Sequence, residues 1–240
     1  MIEQGAKFFT APPPTTDLGL GGIGTVLQGS LVLVATALAF AAPISVLAGA
    51  FIAFYPNSFT ARLARQLAEV VVEFPTIVIG LSVFGLFIVD LHWGLSALTG
   101  AIALAVVIMP YMTIQISEAL RVPRAMFEES LYALGMSRLR TMLFVMSAGR
   151  RGLLTGLLIG MAKGFGETAA LLFTITTSFN LFFTSFNRPV SAIPVLIYFY
   201  GLAPYENWRE VAWGAAFVLT VLVLALFSIV RVLARGGMSR

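Results

Sequence analysis

At 240 residues, 59% hydrophobic and only 11% charged, with a mean hydropathy of +0.94, the chain cannot coat a water-facing surface; an average soluble domain is about 45–50% apolar and about 25% charged. That balance excludes soluble, disordered and collagen-like classes and leaves an integral membrane protein whose solvent is the bilayer. The absence of cysteine excludes thiol nucleophiles, iron–sulfur clusters and cysteine zinc sites, the lone His92 excludes a multi-histidine metal cluster, and the net charge of +4 comes without the basic, aromatic-interleaved stripe of a nucleic-acid binder.

Residues 1–24 lack a basic stretch followed by a short apolar core, so they read as an extracytoplasmic segment rather than a signal peptide, and no lipidation motif fits. Within them Gly19-Leu20-Gly21-Gly22-Ile23-Gly24 matches G-x-G-x-x-G letter for letter. A Pro-rich stretch precedes it and an apolar run follows, with no acidic residue about 20 positions on, so dinucleotide binding is excluded. The glycines predict a flexible lead-in to the first helix.

The first apolar run, Thr25–Phe54, makes about 45 Å of helix against a hydrocarbon core of ~30 Å, which predicts tilt, a kink at Pro43 or an extramembrane end. Further runs cover Phe74–Leu91, Leu95–Ile116, Leu153–Thr177 and Val211–Val230. Each is continuous rather than dyad-alternating, so the five are predicted transmembrane helices and not barrel strands: an all-α polytopic membrane protein. No internal repeat is visible, which argues against a secondary transporter.

Between the runs, Arg62 and Arg65, six arginines from Arg121 to Arg151, and Arg231, Arg235 and Arg240 fall on one side of five alternating spans. The other side has Lys7, Arg188 and Arg209. Eleven against three predicts a cytoplasmic C-terminus and an N-terminus outside. The outer loop, 178–210, is too polar and Pro-broken to span.

Four features of the spans stand out. Gly152, Gly156, Gly160 and Gly164 repeat every fourth residue, a small-residue ridge that serves either as a static packing face or as a face that slides during gating. Lys163 and Glu167, four apart in the fourth run and so on one predicted helix face, either neutralise each other or line a polar pathway or gate. Asp90 and His92 fall at a span end, where a wet loop accounts for both. Gly160-Met161-Ala162-Lys163-Gly164 lacks the GK[ST] of a Walker A loop and lies inside a span, so this chain is not expected to bind ATP that way.

Residues 117–151 form the long loop on the arginine-rich side. Glu128, Glu129, Arg138 and Arg140 interleave with Met126, Phe127, Leu131, Leu134 and Leu139, an amphipathic helix that Gly135 breaks as a left-handed C-cap would. Such a helix either lies on headgroups or docks a soluble partner.

Glu129-Ser130-Leu131-Tyr132-Ala133-Leu134-Gly135 resembles the E-A-A-x-x-x-G motif of permease subunits in binding-protein-dependent ABC importers. Phe8-Phe9-Thr10, Gly21-Gly22-Ile23-Gly24, the run Glu73–Leu81, Val122-Pro123 and Gly166-Glu167-Thr168-Ala169-Ala170-Leu171-Leu172 extend the likeness to phosphate permeases of the PstA type, over nearly the whole chain. The resemblance implies the five-helix core of a type I ABC importer permease in a prokaryotic inner membrane. It implies a translocation path shared with a second permease, two cytoplasmic ATPase subunits that hold ATP and magnesium, and an extracytoplasmic phosphate-binding protein that delivers phosphate. It assigns ATPase coupling to Arg124, Glu128, Glu129, Ala133, Leu134 and Gly135, and the path or gate to Lys163 and Glu167. No cofactor, metal or catalytic residue is implied in this chain.

Three departures accompany the likeness. Lys163 stands where the family usually has Arg, which keeps the charge and loses the bidentate fork. Met146-Ser147 replaces the Leu-Pro that usually follows the E-A-A loop. The permeases it resembles have six spans, whereas this chain begins where their second is approached; truncation, a misplaced start and a true five-span protein all fit. The competing readings are an importer of another oxyanion or solute, a self-contained channel or carrier, and an intramembrane enzyme, for which the spans hold no nucleophile–base pair.

Overall fold

The computed structural model describes residues 5–16, 19 and 21–235. Of the positions singled out above, Leu20, Arg240 and the side chain of Arg235 lie outside the described residues. The elements are α1 (Lys7–Thr10), α2 (Gly24–Phe54), α3 (Phe59–Glu73), α4 (Thr76–Val83) continued by a π-helix over Phe84–Asp90, α5 (Ala97–Ala133), α6 (Arg138–Ala148), α7 (Arg150–Phe165), α8 (Ile193–Gly201) and α9 (Glu206–Arg235), with a 3-10 turn at Leu171–Phe173. No strand occurs among the described residues. Three helices, α2, α5 and α9, are long and apolar enough to cross a membrane, and the spans number up to five when α3 with α4 and α6 with α7 each count as one bent span.

The segment 178–210, expected as a loop, contains α8 and the start of α9, and the boundaries differ from the sequence expectation in three further places. The third run does not end at Ile116: α5 continues to Ala133 with Pro110 and Pro123 inside it, a rod of about 55 Å. The segment 59–73, expected as part of a loop, is the amphipathic helix α3, with Phe59, Leu63, Leu67 and Val70 exposed along one stripe. The fourth run is not one helix to Thr177, because α7 stops at Phe165, between Gly164 and Gly166. Two glycines at a helix end combine low helix propensity with freedom to turn, which favours a stop there.

Contacts divide the chain into two compact units, and α2, α5, α7 and α9 each pass from one to the other. The first comprises Met1–Ala37, Pro75–Val106 and Lys163–Leu224. Its buried core includes Phe8, Ile23, Leu33, Leu104, Leu171, Ile193 and Leu196. Here the predicted flexible lead-in is instead a tightly folded strap. Gly22 N–H donates to the Pro12 carbonyl at 2.9 Å, Ile23 N–H to Phe8 at 2.7 Å and Gly24 N–H to Ala11 at 2.8 Å. A Cβ on Gly22 would lie 2.4 Å from the Phe8 carbonyl oxygen, so these glycines permit backbone to touch backbone. The strap is held from above by α8 and α9. Tyr200 donates to the Pro14 carbonyl at 2.7 Å and stacks on Trp208 with ring centroids 4.3 Å apart, while Trp208 and Asn207 both donate to Thr16. Burial raises the Tyr200 pKa from 10.0 to about 12, so the phenol stays a donor throughout the neutral range.

The second unit comprises Leu38–Phe74, Val107–Ala162 and Ala225–Arg240. Ile108, Met112, Ile116 and Leu120 of α5 are fully buried in it, together with Val145 of α6. The glycine ridge of α7 meets this row directly: a Cβ on Gly152 would lie 2.5 Å from Ala119, on Gly156 2.9 Å from Ile116, and on Gly160 2.3 Å from Met112. The fourth glycine, Gly164, borders a narrow gap in the first unit with Leu33, Leu104 and Leu171.

If the strap depends on backbone contact at Gly22, Gly22→Ala should destabilise by about 1–3 kcal/mol, the usual range for overpacking. Gly85→Ala, where an added Cβ meets nothing within 4 Å, should leave stability unchanged or raise it slightly. Thermal midpoints of the two variants in detergent are the check.

Candidate functional site

Two groups of residues carry chemistry, one in each unit. The first begins where α7 ends. Lys163 sits in the last turn of α7, where a cation complements the negative end of the helix dipole. Glu167 lies beyond the helix, so the two are not on one helix face as their spacing predicted. The structure nonetheless brings them together: Lys163 Nζ donates to Glu167 Oε2 at 2.9 Å. Glu167 is 3% exposed and the Lys163 side chain 33% exposed, so the carboxylate is sealed while the lysine is only part-buried.

The other Glu167 oxygen has structural work. Oε1 accepts the Ala170 N–H at 3.3 Å, at the start of the 3-10 turn Leu171–Phe173. Ala170 O accepts from the Thr174 hydroxyl at 3.1 Å, and Thr174 O accepts from the Thr99 hydroxyl at 3.1 Å. Thr99 and Ser96 cap the start of α5 reciprocally, each side chain accepting the other's N–H at 3.0 and 3.2 Å. A polar chain therefore runs from the ion pair to the first turn of α5. It is braced from α4 by Gly80, where a Cβ would stand 2.6 Å from the Ala170 carbonyl oxygen. Sequence reasoning did not assign a role to Gly80, although the run Glu73–Leu81 contains it.

The second group is the hairpin of α5 and α6. Gly135 adopts φ +77°, its N–H donates to Tyr132 O at 2.9 Å, and Met136 N–H donates to Leu131 O at 3.1 Å, closing the C-terminus of α5. Leu131 is buried and Phe127 meets Phe144 edge-to-face at 5.5 Å, which fixes α6 against α5. The six residues assigned to coupling separate into two sets. Glu129, Ala133, Leu134 and Gly135 are exposed, with Leu134 at 79% and its neighbour Leu139 at 66%. Arg124 and Glu128 turn inward and pair with each other, their side chains 24% and 18% exposed. The hairpin can therefore offer an apolar, partly acidic tip to a partner, and Arg124 and Glu128 belong to its root.

A family model described as Binding-protein-dependent transport system inner membrane component matches residues 45–237. The probable phosphate transport system permease protein PstA of Methanocaldococcus jannaschii is 39% identical over 232 residues, covering 96% of this chain and 80% of that protein. The phosphate transport system permease protein PstA of Xylella fastidiosa is 32% identical over 226 residues, covering 92% and 77%. A solved structure of the MetNI methionine ABC transporter in inward-facing conformations superposes with a TM-score of 0.69 at 15% identity, covering 89% of this chain and 96% of that one, a likeness of fold.

Because Gly80 touches backbone and not a movable side chain, Gly80→Val should displace the turn that seals Glu167. Carbodiimide modification of Glu167, located by mass spectrometry of the peptide, should rise several-fold in that variant and stay at background in the native chain.

Proposed function

The chain belongs to the family of binding-protein-dependent transport system inner membrane components, and from that premise we propose that it is the permease subunit of an ATP-driven importer of inorganic phosphate. The family is one of multi-pass transport components and not of enzymes, with all-α helices of the kind seen here. The phosphate assignment is supported by relatives named as phosphate transport permeases, matched along most of their length. A second permease would complete the path, a phosphate-binding protein would deliver the solute outside, and ATP hydrolysis would belong to two partner ATPases. The arginine count puts the α5–α6 hairpin and the C-terminus in the cytoplasm, and the segment 178–210 outside.

The observation that carries the solute path is a sealed carboxylate paired with a lysine whose side chain is one-third exposed. Lys163 offers a cation on that part-exposed side chain, next to a carboxylate that offsets its charge. A phosphate carrying between one and two negative charges would be drawn to the ammonium in a low-dielectric passage, and the sealed carboxylate would keep the attraction weak enough for release. On the cytoplasmic side, Glu129, Ala133, Leu134 and Gly135 at the hairpin tip would seat in the ATPase, and closure driven by ATP would rock the helices between outward and inward access. The contact of Gly152, Gly156 and Gly160 with α5 supports a packed seam in that movement.

Uptake of radiolabelled phosphate by the reconstituted complex tests this. Lys163→Gln and Glu167→Gln should each abolish uptake, the double neutral variant should stay inactive, and Lys163→Arg should retain activity. Normal uptake by an assembled double variant would reduce the pair to a structural bridge. The orientation has its own test, since the chain has no cysteine. Arg188→Cys should react with an impermeant maleimide in intact cells, and labelling only after permeabilisation would invert the topology.

A further inference from the structure

We infer that Arg124, held by Glu128, is a positioning residue that locks the end of α2 to the root of the coupling hairpin, so that the first span moves with the hairpin. The inference rests on the importer reading above and goes beyond it, since it makes α2 a second mechanical output of the hairpin.

The geometry begins at a helix end. α2 stops at Phe54; the Phe51 carbonyl takes the Tyr55 N–H at 3.0 Å, and the carbonyls after it lie past the helix's own donors. Arg124 reaches across from α5, 71 positions away in sequence, and its Nη1 donates to the Ala53 carbonyl. The guanidinium also lies over the Phe54 ring, 5.9 Å from its centroid. Its Nε is committed to Glu128, one turn further along α5, which aims the fork at α2. A cation on the last carbonyls opposes the helix dipole favourably, and a planar fork can hold two acceptors in fixed directions where an ammonium offers a single point.

Two more cations join the same corner. Arg138, at the start of α6, stacks over the Tyr55 ring at 4.2 Å, and Arg65 of α3 bonds Glu118 of α5 at 2.8 Å. The corner after α2 is thus gripped from α5, from α6 and through α3. Between α2, α3 and α5 lies a cleft of about 410 Å³ bordered by Ala53, Pro56, Ser117 and Ala125. A push on Leu134 or Leu139 at the exposed tip reaches the end of α2 through these contacts without any change in α5 itself.

The test uses the whole complex, with phosphate uptake and binding-protein-stimulated ATP hydrolysis measured together. In Arg124→Gln, hydrolysis should continue while phosphate transported per ATP falls at least tenfold; Arg124→Lys should recover part of that ratio, and Glu128→Gln should lower it several-fold. A native ratio in an assembled Arg124→Gln overturns the inference. If that variant does not assemble, a cysteine pair decides: Ala53→Cys and Ala125→Cys joined by a flexible bis-maleimide should leave the ratio of transport to hydrolysis intact, because the two sites move as one body. Loss of transport on cross-linking means that they must separate, and overturns the inference. A native complex that hydrolyses ATP but carries no phosphate points to another solute, and the cross-link is then read on the stimulated hydrolysis: stimulation preserved supports the lock, and stimulation lost overturns it.

Discussion

In a bilayer, burying a leucine between helices gains little, because lipid tails are as apolar as the leucine they replace. Tertiary structure must then come from close backbone approach, which maximises dispersion, and from polar contacts that lipid cannot supply. Both are visible wherever this chain's elements meet. Gly49 brings α2 against Ile116 and the Thr113 carbonyl, Gly29 brings it against the Ser191 backbone, and Gly152, Gly156 and Gly160 lay α7 on α5. Hydroxyls supply the second kind: Ser45 donates to the Met109 carbonyl, Thr25 to the Phe179 carbonyl, and Ser30 accepts the Ile193 N–H. The glycines at these contacts give up backbone entropy to obtain such approaches, and they make each seam intolerant of an added methyl.

The charged residues follow from the same constraint, because few of them are free to be decorative in a chain only 11% charged. Most ion pairs among the described residues join positions three or four apart on one helix, and such pairs stabilise by only about 0.2–0.5 kcal/mol. Their value lies in what they aim. Glu128 directs Arg124 at the end of α2, and Glu69 steadies Arg65 for Glu118. The weak local pair serves as the mount for a contact between helices.

Much of this architecture is legible in the sequence, and the illegible part has identifiable physical reasons. Continuous apolar runs announce the spans, because a helix that crosses lipid needs about 20 consecutive apolar residues. The end of α5 at Gly135 is readable because a residue tolerant of positive φ was required there. The continuity of α5 past Ile116 is not readable, since hydropathy reports where lipid ends and helix propensity carries on regardless; Pro123 even argues for a stop that packing overrides. The helix α3 hides because its arginines make it look like a loop. The inward set of Arg124 and Glu128 is hidden for a different reason: the partner carbonyl at Ala53 is backbone, and no residue type marks it.

The break after Phe165 shows how one polar group can organise a stretch of irregular backbone. Once α7 stops, the N–H and C=O groups of residues 166–170 have no helix to satisfy them, and each such group buried without a partner costs about 1–3 kcal/mol. Glu167 answers with one oxygen on the Ala170 N–H, and the Thr174 and Thr99 hydroxyls take the Ala170 and Thr174 carbonyls. Its remaining oxygen is then a sealed negative charge that needs a cation, and Lys163 is the one supplied. A lysine ties to that oxygen with a single ammonium, a point charge rather than a fork. An arginine at 163 would present two parallel N–H groups, which suit a carboxylate, so that substitution would strengthen the internal pair. The irregular backbone, the buried acid and the lysine paired with it thus follow from one another, and the cation in the last turn of α7 is the end of that chain of necessities.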